Sequence, residues 1–239
     1  MNININRETE FIDLGMIGYQ KAWDFQTRLL NETVAIKVEN RSKDNDHQTA
    51  TKNFLIYCEH PHVFTLGKTG DEKNLLVKPA DLPSLQADFI PTNRGGDITY
   101  HGPGQLVVYP VLDLENFFTD IHQYMRSLEE AVILTLHEYG IRGGRIDKLT
   151  GVWIDPEQKS TARKICAMGV KMSRWVTLHG LALNVNADLK YFDYIVPCGI
   201  NDKAVTSMAK ELGREIPMEE IKKILKEKII GVFGLKLKS

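Results

Sequence analysis

Three strand-like runs follow one another in the second half of the chain, with no helical pattern between them. Residues 151–154, 163–170 and 176–185 are rich in apolar and β-branched residues and are joined by polar turns. This spacing predicts an antiparallel meander. Because helical patterns occur elsewhere without a regular alternation of strand and helix, the predicted fold class is α+β.

The elements around the meander can also be predicted. Strands are expected over 11–17 and 54–58, and helical spacing of apolar residues follows the first of them. A second helix, ending at Gly140, is expected to cover one face of a sheet. Pro217 begins an amphipathic helix that should close the core.

Length and composition favour a single folded domain over 1–239. The chain has 239 residues, of which 43% are hydrophobic, so it can bury a sizeable core. Residues 39–52 are polar and lack an apolar period, which predicts a loop or frayed helix end inserted in that domain. The net charge of -1 argues against nonspecific nucleic-acid binding. Without a bilayer-length apolar run or a signal-peptide pattern, a soluble cytoplasmic protein is expected, with no membrane partner.

Three cysteines, Cys58, Cys166 and Cys198, form an odd set without CxxC spacing, which disfavours a disulfide framework and a structural zinc site. Cys198 lies between Pro197 and Gly199, on a turn that presents a thiol rather than packing it. A buried, inert cysteine is the alternative. A reactive thiol needs a nearby cation to lower its pKa, and Lys164 is the best candidate.

Lys164 also has two interpretations, because it is either a partner of the thiol or a solvated lysine at a strand end. Strand alternation predicts that Lys164 and Cys166 share a face, so Cys166 stays open as the partner thiol.

The run 94–105, Arg-Gly-Gly-Asp-Ile-Thr-Tyr-His-Gly-Pro-Gly-Gln, combines flexible backbone with polar side chains. Its turn formers predict a tight connection between strands over 98–100 and 106–112. His101 is a candidate base or substrate contact, with a structural role as the alternative. Arg94-Gly-Gly lacks the rest of a phosphate-loop motif, so a nucleotide site does not follow.

The remaining histidines do not predict a metal site. His60, His62, His101 and His179 lack partners at a familiar ligand spacing. His179 and the adjoining Gly180–Ala182 segment are instead expected to line the same cleft, where backbone N–H groups of 180–182 or of 198–199 are candidate oxyanion donors.

These motifs resemble the octanoyltransferases of lipoate biosynthesis, the lipoate-protein ligase B family. The resemblance rests on 94–105, on Lys164-Ile-Cys-Ala-Met-Gly, on His179-Gly-Leu-Ala-Leu-Asn and on Pro197-Cys-Gly, and it is extended by 59–67 and 205–207. It implies a mixed β-sheet flanked by helices, of the type found in biotin and lipoate protein ligase catalytic domains.

The resemblance also implies the chemistry and its residues. Cys198 corresponds to the acyl-thioester cysteine and Lys164 to the lysine that lowers its pKa. The implied substrate-binding residues are Arg94, Gly95, Gly96, Asp97, Ile98, Thr99, Tyr100, His101, Ala167, Met168, Gly169, Gly180, Leu181 and Ala182. The family usually has a small residue such as alanine where this chain has Cys166.

The implied donor is an octanoyl group on the phosphopantetheine of acyl carrier protein, so neither ATP nor a metal is expected. The implied acceptors are lipoyl domains of 2-oxoacid dehydrogenase complexes and the glycine cleavage H protein. Alternatives are an ATP-dependent lipoate or biotin ligase and a non-catalytic lipoyl-domain or carrier-protein binding module. Because both partners are expected to be acidic, basic side chains are predicted to form a docking surface: Arg142, Arg145, Lys148, Lys171 and Arg174.

Overall fold

The structure, a computed structural model, describes residues 5–158, 160–196 and 204–238. The helices are α1 (Tyr19–Asn40), α2 (Ile121–His137), α3 (Met208–Leu212) and α4 (Met218–Phe233). The strands are β1 (Glu8–Met16), β2 (Asn53–Glu59), β3 (Val63–Leu66), β4 (Asp88–Pro91), β5 (Ile98–His101), β6 (Gln105–Val111), β7 (Gly143–Ile146), β8 (Leu149–Ile154), β9 (Arg163–Ser173), β10 (Val176–Asn184), β11 (Ala204–Val205) and β12 (Lys236–Leu237).

Most of the described strands form one mixed sheet. Its order is β12-β1-β2-β6-β10-β9-β8-β7, and β11 pairs with β9 at the side. The β1–β2, β1–β12 and β9–β11 pairs are parallel, whereas the other pairs are antiparallel. The predicted meander is therefore confirmed as β8, β9 and β10, and so is the α+β class.

Helices cover both faces of this main sheet. On one face, Ala22 and Leu29 of α1 pack in a cluster with Val107 and Ala182. On the other face, α2 and α4 pack against each other and against the sheet in the largest apolar cluster of the described residues. The predicted helices before Gly140 and after Pro217 are α2 and α4, and Gly140 has the left-handed φ of +70° typical of a helix stop.

A second, smaller sheet has the order β4-β3-β5 and was not predicted as a sheet. The turn at 102–104 is tight, as expected, but it joins strands of different sheets, since β5 belongs to the small sheet and β6 to the main one. Gly104 has a φ of +80°, and its N–H donates to Glu59 Oε2 at 2.8 Å. This turn brings the two sheets together beside the cleft described below.

The polar segment predicted as an insertion over 39–52 begins in the last turn of α1. After Asn40 the chain forms a loop that includes a short turn at Asn45–His47. The Asn40 side chain accepts a hydrogen bond from the Thr49 N–H at 2.9 Å and donates to the Thr49 carbonyl at 2.8 Å. None of the helices in the described parts of the chain has the length and apolar character needed to cross a bilayer.

Candidate active site

A cleft lies on the α1 face of the main sheet, with β9, β10 and β6 as its floor. In the β9–β10 pair, Gly169 lies opposite Gly180 and Ala167 lies opposite Ala182. This antiparallel register brings the 167–169 and 180–182 motifs side by side in the hairpin that β9 and β10 form. The described lining comprises Tyr19, Arg94, Gly96, Asp97, Ile98, Thr99, His101, Val107, Tyr109, Lys164, Ala167, Met168, Gly169, His179, Gly180, Leu181, Ala182, Asn184, Phe192 and Val205.

Glycine at 169 allows the 94–96 loop to lie directly on β9. A Cβ at Gly169 would come within 2.8 Å of the Gly95 carbonyl and 3.2 Å of Arg94 Cδ. The Gly95 N–H donates to the Val170 carbonyl at 3.0 Å. A larger residue at 169 would therefore push the loop away from the cleft floor.

Arg94 anchors this loop to the small sheet. Its guanidinium donates from Nη2 to the Thr65 carbonyl at 2.7 Å and to Thr65 Oγ1 at 3.0 Å. Nη1 donates to the Gly95 carbonyl at 3.1 Å, and the residue is 8% exposed. The buried cation therefore fixes the position of the loop that forms one wall of the cleft.

Lys164 is turned into the cleft by a β-bulge. Trp153 of β8 lies opposite Lys164, and the residue before it, Val152, lies opposite Cys166, so Ile165 is an extra residue in β9. A bulge of one residue reverses the alternation of side chains at that point. Lys164 therefore lines the cleft, whereas Cys166 packs in the core under α2 and α4.

The prediction that Lys164 and Cys166 share a face is therefore wrong, and the bulge is the reason. Cys166 is fully buried beside Leu183 and Val152, and burial raises the pKa of its thiol. Cys58 is also fully buried, and burial raises the pKa of its thiol in the same way. Neither thiol is among the residues that line the described part of the cleft.

The Lys164 side chain is held beside an aromatic ring. Its Nζ lies 4.6 Å from the centre of the Trp153 ring, a distance typical of a cation–π contact. The backbone is fixed as well, since the Lys164 carbonyl accepts a hydrogen bond from the Thr206 N–H at 2.9 Å. A cation–π contact favours the protonated ammonium over the neutral amine.

Cys198 lies outside the described residues, together with the rest of 197–203. The chain on both sides of this segment is described. Phe192, before the segment, and Val205, after it, both line the cleft. Val205 of β11 pairs directly with Lys164.

His101 begins a directed chain of hydrogen bonds along the cleft. Its Nδ1 lies 2.7 Å from Gln105 Oε1, and Gln105 Nε2 donates to Asn184 Oδ1 at 2.8 Å. Asn184 Nδ2 in turn donates to the Thr206 carbonyl at 2.9 Å. Because Gln105 Oε1 only accepts, the proton of the neutral imidazole sits on Nδ1. Burial, reinforced by nearby His60, lowers the pKa of His101 to about 3.

His179 has an unusual backbone conformation, with a φ of +61° within β10. Its N–H donates to the buried side chain of Gln26 in α1 at 3.0 Å, and its Nε2 lies 2.8 Å from Asn93 Oδ1. Burial, followed by the charges of Arg94 and Lys171, lowers the pKa of His179 to about 3. Within the described residues, its buried Nδ1 has no hydrogen-bond partner.

Two tyrosines form the inner end of the cleft, Tyr109 on β6 and Tyr19 on α1, and His60 contacts both of their rings. His60 Nδ1 lies 2.7 Å from the Ile17 carbonyl, so that nitrogen carries the proton, and Nε2 accepts from the Tyr109 hydroxyl at 2.7 Å. The Tyr19 ring stacks on His101 with centroids 5.7 Å apart. Burial lowers the pKa of His60 to about 4 and raises that of Tyr19 to about 12.

With this geometry established, comparison with known proteins identifies the family. The model of the lipoyl protein ligase A/B catalytic domain matches residues 19–230, which is most of the chain and includes all of the described cleft lining. The chain belongs to this family.

Relatives within the lipoyl protein ligase A/B family are similar over nearly the whole chain. An octanoyltransferase of Cytophaga hutchinsonii is 56% identical over 239 residues, covering 100% of this chain and 98% of that protein. An octanoyltransferase of Christiangramia forsetii is 54% identical over 235 residues, covering 98% and 99%. The resemblance to octanoyltransferases is confirmed.

The fold also matches solved structures of the lipoyl protein ligase A/B type. The bipartite lipoate protein ligase of Thermoplasma acidophilum, solved in a study with its E2 lipoyl domain, has a TM-score of 0.70 at 18% identity. The match covers 98% of this chain and 87% of that chain. The predicted lipoate-ligase type of fold is therefore confirmed.

Most of the residues that the family resemblance predicts for the site do lie together in the cleft. Gly95 and Tyr100 are outside the described lining. Gly95 covers the outer side of β9 through its bond to Val170, and Tyr100 is fully buried in the core of the small sheet, with its hydroxyl 2.8 Å from His62 Nδ1. The substrate contacts of the predicted residues stay a prediction.

Several residues that line the cleft were not assigned to the site from the sequence: Tyr19, Val107, Tyr109, Asn184, Phe192 and Val205. Val107 and Tyr109 alternate within the predicted strand 106–112, so their shared face was available as a signal. No sequence signal assigned Tyr19 to the cleft, because its position depends on how α1 packs on the sheet.

The basic residues predicted for docking are not equivalent. Arg145 forms ion pairs inside the protein, with Glu129 at 3.0 Å and with Glu130 at 2.6 Å. Lys171 is exposed on β9, and Arg174 is exposed at the β9–β10 turn. In the described parts of the chain, no three His, Cys, Asp or Glu residues cluster as metal ligands would.

Proposed function

We propose that this chain transfers an octanoyl group from octanoyl-acyl carrier protein to a lysine of lipoyl domains, through a thioester on Cys198. An acyltransferase activity is supported by relatives 54–56% identical that are named octanoyltransferases. The donor, the acceptors and the covalent intermediate are those that the resemblance to octanoyltransferases implies.

The position of Lys164 carries the proposal. The bulge at Ile165 turns this ammonium into the cleft, and the chain re-enters the described structure at β11, paired with Lys164 itself. Phe192 and Val205 bring both flanks of the 197–203 segment to the cleft. Chain connectivity therefore supports a contact between Lys164 and Cys198.

The first half-reaction loads the enzyme. In a Cys–Lys pair the proton stays on the amine, because each charge stabilises the other and a free lysine is the stronger base by about two pKa units. The Cys198 thiolate attacks the carbonyl carbon of the octanoyl thioester, and the bond to the carrier sulfur breaks. The carrier thiolate leaves and takes a proton from Lys164.

The second half-reaction delivers the acyl group. The neutral Lys164 amine accepts a proton from the ammonium of the incoming lysine. The acceptor nitrogen then attacks the Cys198 thioester, and the C–S bond breaks as the amide forms. The second proton of the acceptor nitrogen is released to solvent, so the Cys198 thiolate is left with the Lys164 ammonium beside it. The enzyme returns to its starting protonation state.

The oxyanion donors are proposed to come from 198–199 rather than from 180–182. Leu181 and Ala182 pair with β6 on one side and with β9 on the other, so the N–H groups of this part of β10 serve the ladders of the sheet. Such donors are not free to bind a tetrahedral oxyanion. The turn around Cys198 is the remaining candidate from the sequence.

The same chemistry leads us to propose that ATP and a metal are not required. The donor thioester is already activated, so no adenylate has to be formed. Acyl transfer between two carrier-bound substrates also accords with a cytoplasmic enzyme.

Incubation of the protein with octanoyl-acyl carrier protein, without ATP, tests the proposal. Intact-mass and peptide mass spectrometry should show one octanoyl adduct on the peptide that contains Cys198. Adding a lipoyl domain should then remove the adduct and octanoylate the acceptor lysine. Cys198→Ser should show no transfer at neutral pH, since a hydroxyl is not ionised by a neighbouring lysine.

Cys166→Ala is the matched control, because it removes a thiol that faces the core. This variant should form the same adduct at a rate close to that of the native protein. An adduct on Cys166, retained transfer by Cys198→Ser, or a strict requirement for ATP would overturn the proposal.

A further inference from the structure

We propose that Val107, Tyr109 and Tyr19 form a fixed end wall of the cleft and set the longest acyl chain that the enzyme accepts. This inference rests on the proposed function. It adds to it a specificity determinant on β6 and α1, away from the lysine that supports the chemistry.

The distance across the cleft floor fits an acyl chain. The floor runs from Ala167 on β9, across Ala182 on β10, to Val107 on β6, three residues that lie directly opposite one another. Two strand spacings amount to about 10 Å. The span from Ala167 to Val107 is close to the length of an extended eight-carbon chain.

Burial increases along the same direction. Ala167 and Met168 on β9 are half-buried, whereas Val107 is 1% exposed, Tyr109 is 4% exposed and Tyr19 is 5% exposed. The cleft is therefore closed at the β6 end. An acyl chain that enters from β9 has its terminal methyl at this end.

The floor is apolar, and its side chains are small enough to leave room for the acyl chain. Ala167, Ala182 and Val107 offer only hydrocarbon to a ligand, and Gly180 adds no side chain. A Cβ at Gly180 would approach the Val108 carbonyl to 2.1 Å, so this position keeps β10 close to β6. Apolar burial along the floor gains about fourfold in binding for each methylene.

Hydrogen bonds keep the end wall in place. The Tyr109 hydroxyl donates to His60 Nε2, and His60 is itself held by the Ile17 carbonyl at the start of α1. Tyr19 stacks on His101, whose Nδ1 is bonded to Gln105. A longer chain would have to break one of these buried bonds or leave its extra methylenes in water.

Val107 is the position that tests the wall, because it contributes size without a hydrogen bond. Val107→Ala removes about as much volume as two methylenes occupy, so decanoyl transfer should rise relative to octanoyl by about tenfold. Val107→Ile adds one methylene, so octanoyl transfer should fall relative to hexanoyl by a few-fold.

Val108→Ala is the matched control. Val108 is the next residue of β6, is fully buried, and faces the core on the opposite side of the sheet. The Val108→Ala side chain loses the same volume as that of Val107→Ala, so the two variants should lose similar amounts of stability. Its preference among chain lengths should equal that of the native protein.

The experiment measures transfer from hexanoyl-, octanoyl-, decanoyl- and dodecanoyl-acyl carrier protein to a lipoyl domain for the native protein and the three variants. The end wall would be supported if Val107→Ala shifted the preference to longer acyl chains, Val107→Ile shifted it to shorter ones, and Val108→Ala left it unchanged. Equal profiles in all four proteins would overturn it. No transfer of any chain by the native protein would instead overturn the proposed function.

Discussion

The two faces of the main sheet carry different kinds of residue on the same strands. On β6, Val108 points into the core under α2 and α4, whereas its neighbour Val107 lines the cleft under α1. On β10, Leu183 likewise points into the core and its neighbour Ala182 lines the cleft. Neighbours in sequence thus serve different purposes, because successive side chains of a strand point to opposite faces.

The difference lies in polarity as well as in size. The α2/α4 face is filled by apolar side chains, among them Leu128 and Leu225. The α1 face buries His60, His101 and His179 next to small floor residues. One face therefore supplies most of the packing that stabilises the fold, and the other carries groups suited to chemistry and binding. Substitutions on the two faces should affect different measurements.

The largest effect is expected on the cleft face, at the lysine. Lys164→Met should slow formation of the octanoyl-enzyme at pH 7 by about 30-fold, because a thiol with the ordinary pKa of about 8.5 is only about 3% ionised there. The rate should recover as the pH rises towards the ordinary thiol pKa of about 8.5. Rapid-quench mass spectrometry measures the rate.

Lys171→Met is the control for this prediction. Lys171 lies on the same strand and is exposed, so its loss should leave the rate of acylation within about twofold at moderate ionic strength. A Lys164→Met variant that keeps more than a tenth of native activity at neutral pH would contradict the role assigned to the ammonium.

The converse effect is expected on the core face. Leu128→Ala should lower the free energy of unfolding by about 3 kcal/mol, since it leaves a cavity where α2 meets the sheet. The folded fraction should still transfer octanoate at close to the native rate. Denaturant titration and activity per folded molecule measure the two quantities.

Leu134→Ala on the same helix is the comparison, because Leu134 is 38% exposed. Its unfolding free energy should change by less than about 1 kcal/mol. A Leu128→Ala protein that is as stable as native but inactive would break the proposed division between the faces.

Acid should destabilise the cleft face in particular. Burial lowers the pKa of His60 to about 4 and those of His101 and His179 to about 3, below their ordinary value of 6.5. Between about pH 4 and 6.5 the unfolded chain therefore binds more protons, and stability falls as the pH falls. Each histidine contributes a slope of about 1.4 kcal/mol per pH unit.

Urea unfolding at several pH values measures this slope. His101→Gln should reduce the slope of stability against pH by the contribution of one histidine. The contributions of His60 and His179 should remain. A native protein whose stability is flat from pH 6.5 to 4 would show that these imidazoles are not held neutral.

The smallest effect is expected at Trp153, the aromatic residue that contacts Lys164. Trp153→Phe keeps an aromatic ring near Lys164 Nζ but weakens the cation–π contact, so acylation should slow by about threefold. The pH–rate profile should also shift, because the ammonium is less favoured. A loss of stability with an unchanged profile would show that Trp153 only packs.

Regular periodicity accounts for what the sequence could predict of the fold. The meander and the helices α2 and α4 carry their apolar pattern within each segment, so they were predicted close to their observed bounds. The small sheet was missed because β3 and β4 have only four residues each and a long irregular stretch separates them. Short strands rely on partners that lie far away in sequence.

The site was predictable as motifs and not as geometry. Alternation placed Lys164 and Cys166 together, and only the pairing with β8 reveals the bulge that separates them. The positive φ of His179, and its bond to Gln26 across 153 positions, likewise depend on the packing of α1. Tyr100 shares the motif of His101 but belongs to the core of the small sheet.

The bulge at Ile165 also has a practical use for spectroscopy. By turning Cys166 into the core, it leaves the protein with two shielded thiols, Cys166 and Cys58, that are both fully buried. A maleimide dye added to the native protein should therefore label position 198, with no need to remove any cysteine. Such a dye would report on the arrival of carrier protein and lipoyl domain, and its attachment rate would give the pKa of the thiol directly.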